Sequence, residues 1–83
     1  MSILKVSIRQ IKAARALLSW SQGDLAEAAE VSIPTVKRLE AEDGALGGRE
    51  DTGRKLIAAL ESAGIEFIEG NGGGAGVRLR GRQ

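Results

Sequence analysis

Three serines punctuate the first half of this 83-residue chain, and each is placed to begin a helix in the same way. Ser7 is followed at the third helical position by Gln10, the spacing at which a cap hydroxyl and an amide side chain satisfy each other's backbone N–H groups. Val6 before this cap and Ile11 beyond it are placed to close a hydrophobic staple. Ser21 repeats the layout, with Trp20 before it, Asp24 at the third helical position and Leu25 completing the staple. Ser32 repeats it again with Val31 and Val36. Pro34 falls in the first turn of that third helix, where a missing amide hydrogen costs little. The first helix is predicted over about Ile8 to Leu18, with Ile8, Ile11, Ala14 and Leu18 at helical spacing on one face. Ser21 to Glu40, SQGDLAEAAEVSIPTVKRLE, then reads as two short helices joined by a tight turn.

A fourth helix is written in DTGRKLIAALESAG. Leu56, Ile57, Leu60 and Ala63 form its apolar stripe, its start falls between Glu50 and Thr52, and Gly64 is a left-handed stop. The preceding segment, 41–48, has three glycines and two acids and reads as an irregular loop. Past Gly64 the period changes to two. Ile65 to Glu69 and Val77 to Arg80 predict a β-hairpin with a loose connection, GNGGGAG, and Glu66 and Glu69 are placed to face Arg78 and Arg80. The glycine-rich connection has neither a following helix nor a Lys-Ser or Lys-Thr pair, so a flexible turn fits better than a phosphate cradle. An isolated hairpin is marginal in water, so this one must pack on the helices or on another subunit. The chain start, ILKV, is a candidate further strand. The expected fold class is therefore mainly α: four helices with a C-terminal β-hairpin. The chain is read as one domain over 1–83, with a helical core at 7–64 and the hairpin and basic tail at 65–83.

Composition narrows the chemistry. Trp20 and Phe67 are the only aromatic residues, so the core must be aliphatic and alanine-rich. The chain has no cysteine and no histidine, which removes disulfides, thiolate chemistry, the usual structural zinc sites and the commonest general base. Glu42 and Asp43 are adjacent acids, but they lie in a loop with no nucleophile beside them, so no enzyme activity, no metal and no cofactor is expected. No apolar run reaches the length of a membrane span, and the first residues lack the apolar core of a signal peptide, so a cytoplasmic protein without membrane partners is expected. The net charge is only +1. Its distribution is more telling: Lys5, Arg9, Lys12 and Arg15 share the first twenty residues with no acid, and Arg78, Arg80 and Arg82 share the last fourteen with none. A near-neutral chain with basic ends can still present a basic face to nucleic acid.

The paired short helices form a helix-turn-helix pattern, whose second helix carries an adjacent basic pair, Lys37 and Arg38. Such units hold one short helix in the major groove of DNA. Over about Ile8 to Ile65, and most specifically in ARALLSWSQGDLAEAAEVSIPTVKRLE, the chain resembles the lambda-repressor-like (XRE/Cro-type) family of helix-turn-helix transcriptional regulators. The resemblance implies that Gln22 contacts a DNA phosphate, that Leu25 and Ala26 are the pair letting the two motif helices approach, and that Val36 and Leu39 anchor the recognition helix. It also implies an ion pair between Arg15 and Glu40, and left-handed backbone at Glu30, where the family usually carries glycine. Two departures stand beside it. The family's basic turn after the recognition helix is replaced by Ala41-Glu42-Asp43-Gly44, and its fifth helix by the hairpin.

The expected function is sequence-specific DNA binding in transcription regulation, with the helix at about 33–40 in the major groove and a homodimer on an inverted repeat of double-stranded DNA. The site residues expected to touch DNA are Gln22, Ser32, Ile33, Thr35, Lys37 and Arg38. Physical roles can be assigned to each. Gln22, near a helix N-terminus, donates to a phosphate favoured by the helix dipole. Arg38 matches the O6 and N7 of guanine, Lys37 suits phosphate or base, Thr35 a base edge or phosphate, and Ile33 a thymine methyl. Ser32 is first a cap and second a contact, and Pro34 sets the start of the helix. The competing account of Lys37 and Arg38 is an ordinary solvated helix face. The alternative function is a protein-interaction module, an antitoxin or anti-activator that captures a protein partner through the hairpin; the acids at Glu30, Glu42 and Asp43 motivate it.

Overall fold

A computed structural model describes residues 6–70 and 73–80. Four helices, α1 (Ile8–Leu18), α2 (Gln22–Ala29), α3 (Ile33–Glu40) and α4 (Glu50–Ser62), are followed by two strands, β1 (Ile65–Ile68) and β2 (Gly76–Leu79). The strands form an antiparallel hairpin with Ile65 opposite Leu79, Glu66 opposite Arg78, Phe67 opposite Val77 and Ile68 opposite Gly76. The predicted strands were each offset or longer by one residue at an end, because Glu69 and Arg80 lie beyond the paired segments.

The serine caps work as their spacing dictates. Ser7 and Ser21 each accept from the backbone N–H three residues on, and Gln10 and Asp24 reach back to the cap N–H, so both helices start in reciprocal capping boxes. Ser32 accepts from the Thr35 N–H, with Pro34 in the first turn. α4 begins at Glu50 without any side-chain cap; Glu50 and Asp51 instead place negative charge at the positive end of its dipole. It ends before Gly64, whose φ of +109° suits glycine alone.

The core is aliphatic and alanine-lined. Ile8, Ile11, Leu25, Val36, Leu56, Leu60 and Ile65 are all essentially inaccessible, with Ala14, Ala26 and Ala29 filling the close approaches between helices. Ala26 in α2, the helix that packs on α3, is 2% exposed, and a larger side chain there would overpack the core. Trp20, Val31, Phe67 and Val77 cover the edge of this cluster. The hairpin thus belongs to the core: its Ile65–Phe67–Val77 face closes over the helices, with β2 against α1 and β1 against α4.

Gln10 does more than cap α1. Its Oε1 accepts from the Ser7 N–H, and its Nε2 donates to the carbonyls of Ile68 at 3.2 Å and Gly76 at 2.9 Å, tying the loop end of the hairpin to the first turn of α1. Arg80 closes the other end, donating its backbone N–H to Gly64 and its guanidinium to the Glu61 carbonyl. Glu66 pairs with Arg78 as expected, whereas the register sets Arg80 opposite Gly64, at the end of the hairpin away from Glu69.

The described part of the chain start is tied to the α3–α4 loop. Ser7 bridges Ala45, the Ile8 N–H donates to Gly44 and the Leu46 N–H donates to Val6, so residues 6–8 sew down the α3–α4 loop. Ile3, Leu4 and Lys5 of the proposed strand lie outside the described residues, as do Met1, Ser2 and the tail from Gly81. In the loop, Gly48 is a requirement: its φ is +78°, and a Cβ there would stand 2.9 Å from Leu39 Cδ2.

Glu30 ends α2 with φ 61° and ψ 43°, the left-handed conformation. A non-glycine residue pays about 1–2 kcal/mol there, part of which glycine would return through the freer unfolded chain. Glu30→Gly is therefore expected to stabilise the fold by about 0.5–1 kcal/mol, raising Tm by several degrees in a thermal melt. An unchanged or lower Tm would show that Glu30 makes a compensating interaction.

Candidate nucleic-acid interface

The α2–turn–α3 unit is held by a buried charge. Arg15 of α1 donates through Nε and Nη2 to both carboxylate oxygens of Glu40, at 2.8 and 2.7 Å, and through Nη1 to the Trp20 carbonyl. Gln22 adds its Nε2 to Glu40 Oε1 at 3.0 Å. One carboxylate at the end of α3 is thereby bound to α1 directly, to the first residue of α2, and through the guanidinium to the α1–α2 turn. The Glu40 side chain is 3% exposed and the Arg15 side chain 20%. Burial pushes the Glu40 carboxyl up, but the hydrogen bonds from Arg15 and Gln22 and the charges of Arg15 and Lys12 outweigh it and hold it below the ordinary carboxylate range. The hydrogen bond to Glu40 raises Arg15 in turn, against the opposing effect of its own burial.

This anchoring decides which way α3 faces. Val36, Leu39 and Glu40 point inward. Successive residues of a helix turn by about 100°, so the opposite arc carries Ile33, Pro34, Lys37 and Arg38, all four exposed. Ile33 is an aliphatic side chain 45% exposed on an otherwise polar surface. Among the described residues, neither the Lys37 nor the Arg38 side chain has an ion-pair or hydrogen-bond partner. Both charges are thus displayed without being neutralised.

The expected contact residues do not all share that arc. Ser32 is exposed at the head of α3, but its hydroxyl is engaged by the Thr35 N–H and lies 2.7 Å from the Thr35 hydroxyl. Thr35 is half-buried on the flank beyond Arg38. Gln22 is half-buried at the first turn of α2, with its amide turned to Glu40; the second hydrogen of that amide is what remains for an external acceptor. Pro34, which the pattern assigns only to the start of the helix, stands on the arc with Lys37 and Arg38. The signal for this was present in the spacing: Pro34 and Arg38 are four apart and so lie on one side of a helix.

The loop after α3 is less acidic than its sequence suggests. Asp43 accepts from the Gly44 N–H and forms a two-pronged pair with Arg9 of α1, at 3.1 and 3.2 Å, and these interactions hold its carboxyl below the usual range. Lys12 acts on both Asp43 and Glu40. Arg9 and Lys12 were legible only as members of a basic chain start; the fold sets them beside the end of α3. Glu42 has no ion-pair partner among the described residues.

On another face, Trp20, Ala28, Ala29, Ala58 and Ala59 line an open groove of about 500 Å³ between α2 and α4, with Glu30 and Lys55 at its margins. Among the described residues no cluster of His, Cys, Asp or Glu could hold a metal ion, and no helix is long and apolar enough to cross a membrane. Comparison with protein-family models and with curated proteins finds no match to this chain.

The Glu40 network has a pH signature and a mutational one. A carboxyl whose pKa is lowered on folding contributes stability that is complete above its unfolded pKa and is lost as pH falls through the folded one. Urea unfolding of the wild type should therefore weaken from the ordinary carboxylate range downward more steeply than that of Glu40→Gln. Arg15→Met, which strands a buried carboxylate, is expected to cost about 3 kcal/mol. The double variant should recover at least about 1 kcal/mol of the summed single losses. Strict additivity would show that the two side chains are not energetically coupled.

Proposed function

We propose that the chain is a sequence-specific DNA-binding transcriptional regulator of the lambda-repressor-like helix-turn-helix type, acting in the cytoplasm. The observation that carries this reading is the outer arc of α3: Ile33, Pro34, Lys37 and Arg38 exposed on one side of a short helix whose other side is locked by Val36, Leu39 and Glu40. A helix presented in this way fits the width of the major groove. Arg38 supplies a planar fork for guanine O6 and N7, and Ile33 an apolar surface for a thymine methyl. Lys37, together with the second hydrogen of Gln22, positions the helix against phosphate. Ser32 and Thr35 contribute mainly by fixing the head of the helix, with their oxygens still open to a further donor or acceptor. One such helix reads only a few base pairs, so a homodimer on an inverted repeat supplies the missing specificity.

Selection from a random duplex pool at moderate salt is expected to recover a palindromic motif. Arg38→Ala should weaken binding to that motif by about ten- to a hundredfold and relax preference at one position in each half-site. Lys37→Ala, if it meets phosphate, should weaken all sequences alike and reduce the salt dependence by about one unit of slope. Arg38→Ala with unchanged affinity and motif would overturn readout by α3.

A second reading, a protein-interaction module acting through the hairpin, is favoured by one observation: Ile68 and Leu79 are large apolar side chains left 36% and 44% exposed there. Removing the hairpin would not test it, because Ile65 and Phe67 belong to the core. Ile68→Ser is the better probe. On this reading it abolishes capture of a protein partner and leaves DNA binding unchanged.

A further inference from the structure

The backbone polarity of β2 is set by one bond. The Arg80 N–H donates to Gly64, so Gly64 and Arg80 form a hydrogen-bonded pair. Alternation then makes Glu66–Arg78 and Ile68–Gly76 hydrogen-bonded pairs, and leaves the N–H and C=O of Val77 and Leu79 pointing away from β1. The matching groups on β1 belong to Ile65 and Phe67, and Ile65 is only 1% exposed. β2, by contrast, runs from half-buried Gly76 and Val77 to exposed Arg78 and Leu79. Among the described residues, the β2 edge is the more accessible of the two, and an accessible edge is a template for another strand.

We propose that this edge pairs antiparallel with the β2 edge of a second copy of the chain, in the register centred on Val77, joining two hairpins into one sheet. The inference rests on the homodimer in the proposed function and names the surface that makes it.

Three two-fold registers would bring outward-pointing groups together. Centred on Arg78, the pairing sets Arg78 directly opposite its own copy. Centred on Leu79, it sets Arg78 opposite Arg80. Like charges directly opposed destabilise a ladder. Centred on Val77, each arginine faces a glycine: Arg78 faces Gly76 of the second copy, Arg80 faces Gly74, and Leu79 faces Ala75. The segment GAGVRLR is thus small on one side of Val77 and bulky and cationic on the other, which is the complementarity a two-fold at Val77 requires.

Gly74 belongs to the flexible connection, but Gly76 lies within β2, where a turn does not account for it. A Cβ at Gly74 or Gly76 would meet no atom of the described residues within 4 Å, and neither residue has a positive φ. At the end of a strand a glycine such as Gly76 only weakens it. Across the proposed two-fold the two glycines give the opposing arginines room. Apolar surface lies ready to be covered as well, since Leu79 on the strand and Leu17 on the helix that packs against it are each over 40% exposed.

Sedimentation of the full chain over a range of concentrations tests the pairing, with amide exchange at Val77 and Leu79 read by NMR. A dimer is expected in which both amides become protected as concentration rises. Gly76→Lys, placing a cation opposite Arg78 twice per dimer, should raise the dimer Kd about tenfold, and Gly76→Glu should lower it. Gly76→Ala is the control for lost strand flexibility. A dimer that ignores both charge substitutions, or whose Val77 and Leu79 amides stay unprotected, overturns the proposal. A monomer overturns it too; if its two amides are nevertheless protected, the edge is occupied by the chain's own terminal residues. Binding to a single half-site separates this from the DNA reading. Gly76→Lys should leave half-site binding intact while abolishing the advantage of the palindrome, whereas Arg38→Ala should do the reverse to the half-site and leave the dimer Kd unchanged.

Discussion

A single carboxylate, Glu40, is the point through which the orientation of α3 is transmitted to the rest of the molecule. It is nearly inaccessible, accepts from Arg15 on both oxygens and takes a further hydrogen bond from Gln22. α2 and α3 have eight residues each, too short to be stable in isolation. Their geometry must come from what they touch. Apolar packing through Leu25, Val36 and Leu39 supplies the affinity between helices, but it is tolerant of rotation. A bidentate guanidinium–carboxylate pair is not, because both of its hydrogen bonds depend on the angle between the planes. Burial makes the pair costly to break, and this is what allows it to fix direction.

The consequence for Gln22 is that, in the proposed function, structure and recognition share one side chain. The amide braces Glu40 with one hydrogen and stands at the first turn of α2 with the other. A phosphate docking there would meet the positive end of the α2 dipole and an amide already oriented by the buried carboxylate. The coupling runs both ways: loss of Arg15 or Glu40 would disturb the pose of Gln22 as well as the tilt of α3, so weakened binding in such variants would not mark either as a contact residue.

Much of the helical scaffold was legible in the sequence because its signals are local. Serine caps with Gln10 or Asp24 at the third position, the staple residues and the apolar stripes predict each helix start, and α1 and α3 have the expected bounds. The hairpin was legible from its period of two. What was not legible depends on contacts between distant residues. Gln10 reads as a capping side chain, and only the fold brings the carbonyls of Ile68 and Gly76 within its reach. Asp43 reads as repulsive, and only the fold sets Arg9 against it. Arg80 reads as a cross-strand partner for Glu69, yet the register sets it opposite Gly64, at the far end of the hairpin from Glu69, and its guanidinium finds a helix carbonyl. At the candidate site, Lys37 and Arg38 are exposed as an amphipathic reading of α3 requires, while the hydroxyl of Ser32 and the amide of Gln22 are already in use.

The hairpin makes the same point about division of labour from the other end of the chain. Its inner face is indispensable to the core, since Ile65 is buried and Phe67 and Val77 pack against it. Its register is pinned at both ends, by Gln10 and by Arg80. A two-stranded ribbon clamped in this way cannot slip, so the outward N–H and C=O groups of Val77 and Leu79 are held at fixed positions relative to α1, and through Arg15 and Glu40 relative to α3. An edge so placed can pair with a second copy without the ordering cost that a free strand would bear. If two copies join there, the separation and angle of the two α3 helices follow from the same buried interactions that hold each one. The spacing of half-sites would then be a property of Gln10, Arg15 and Glu40 as much as of the residues that touch the bases.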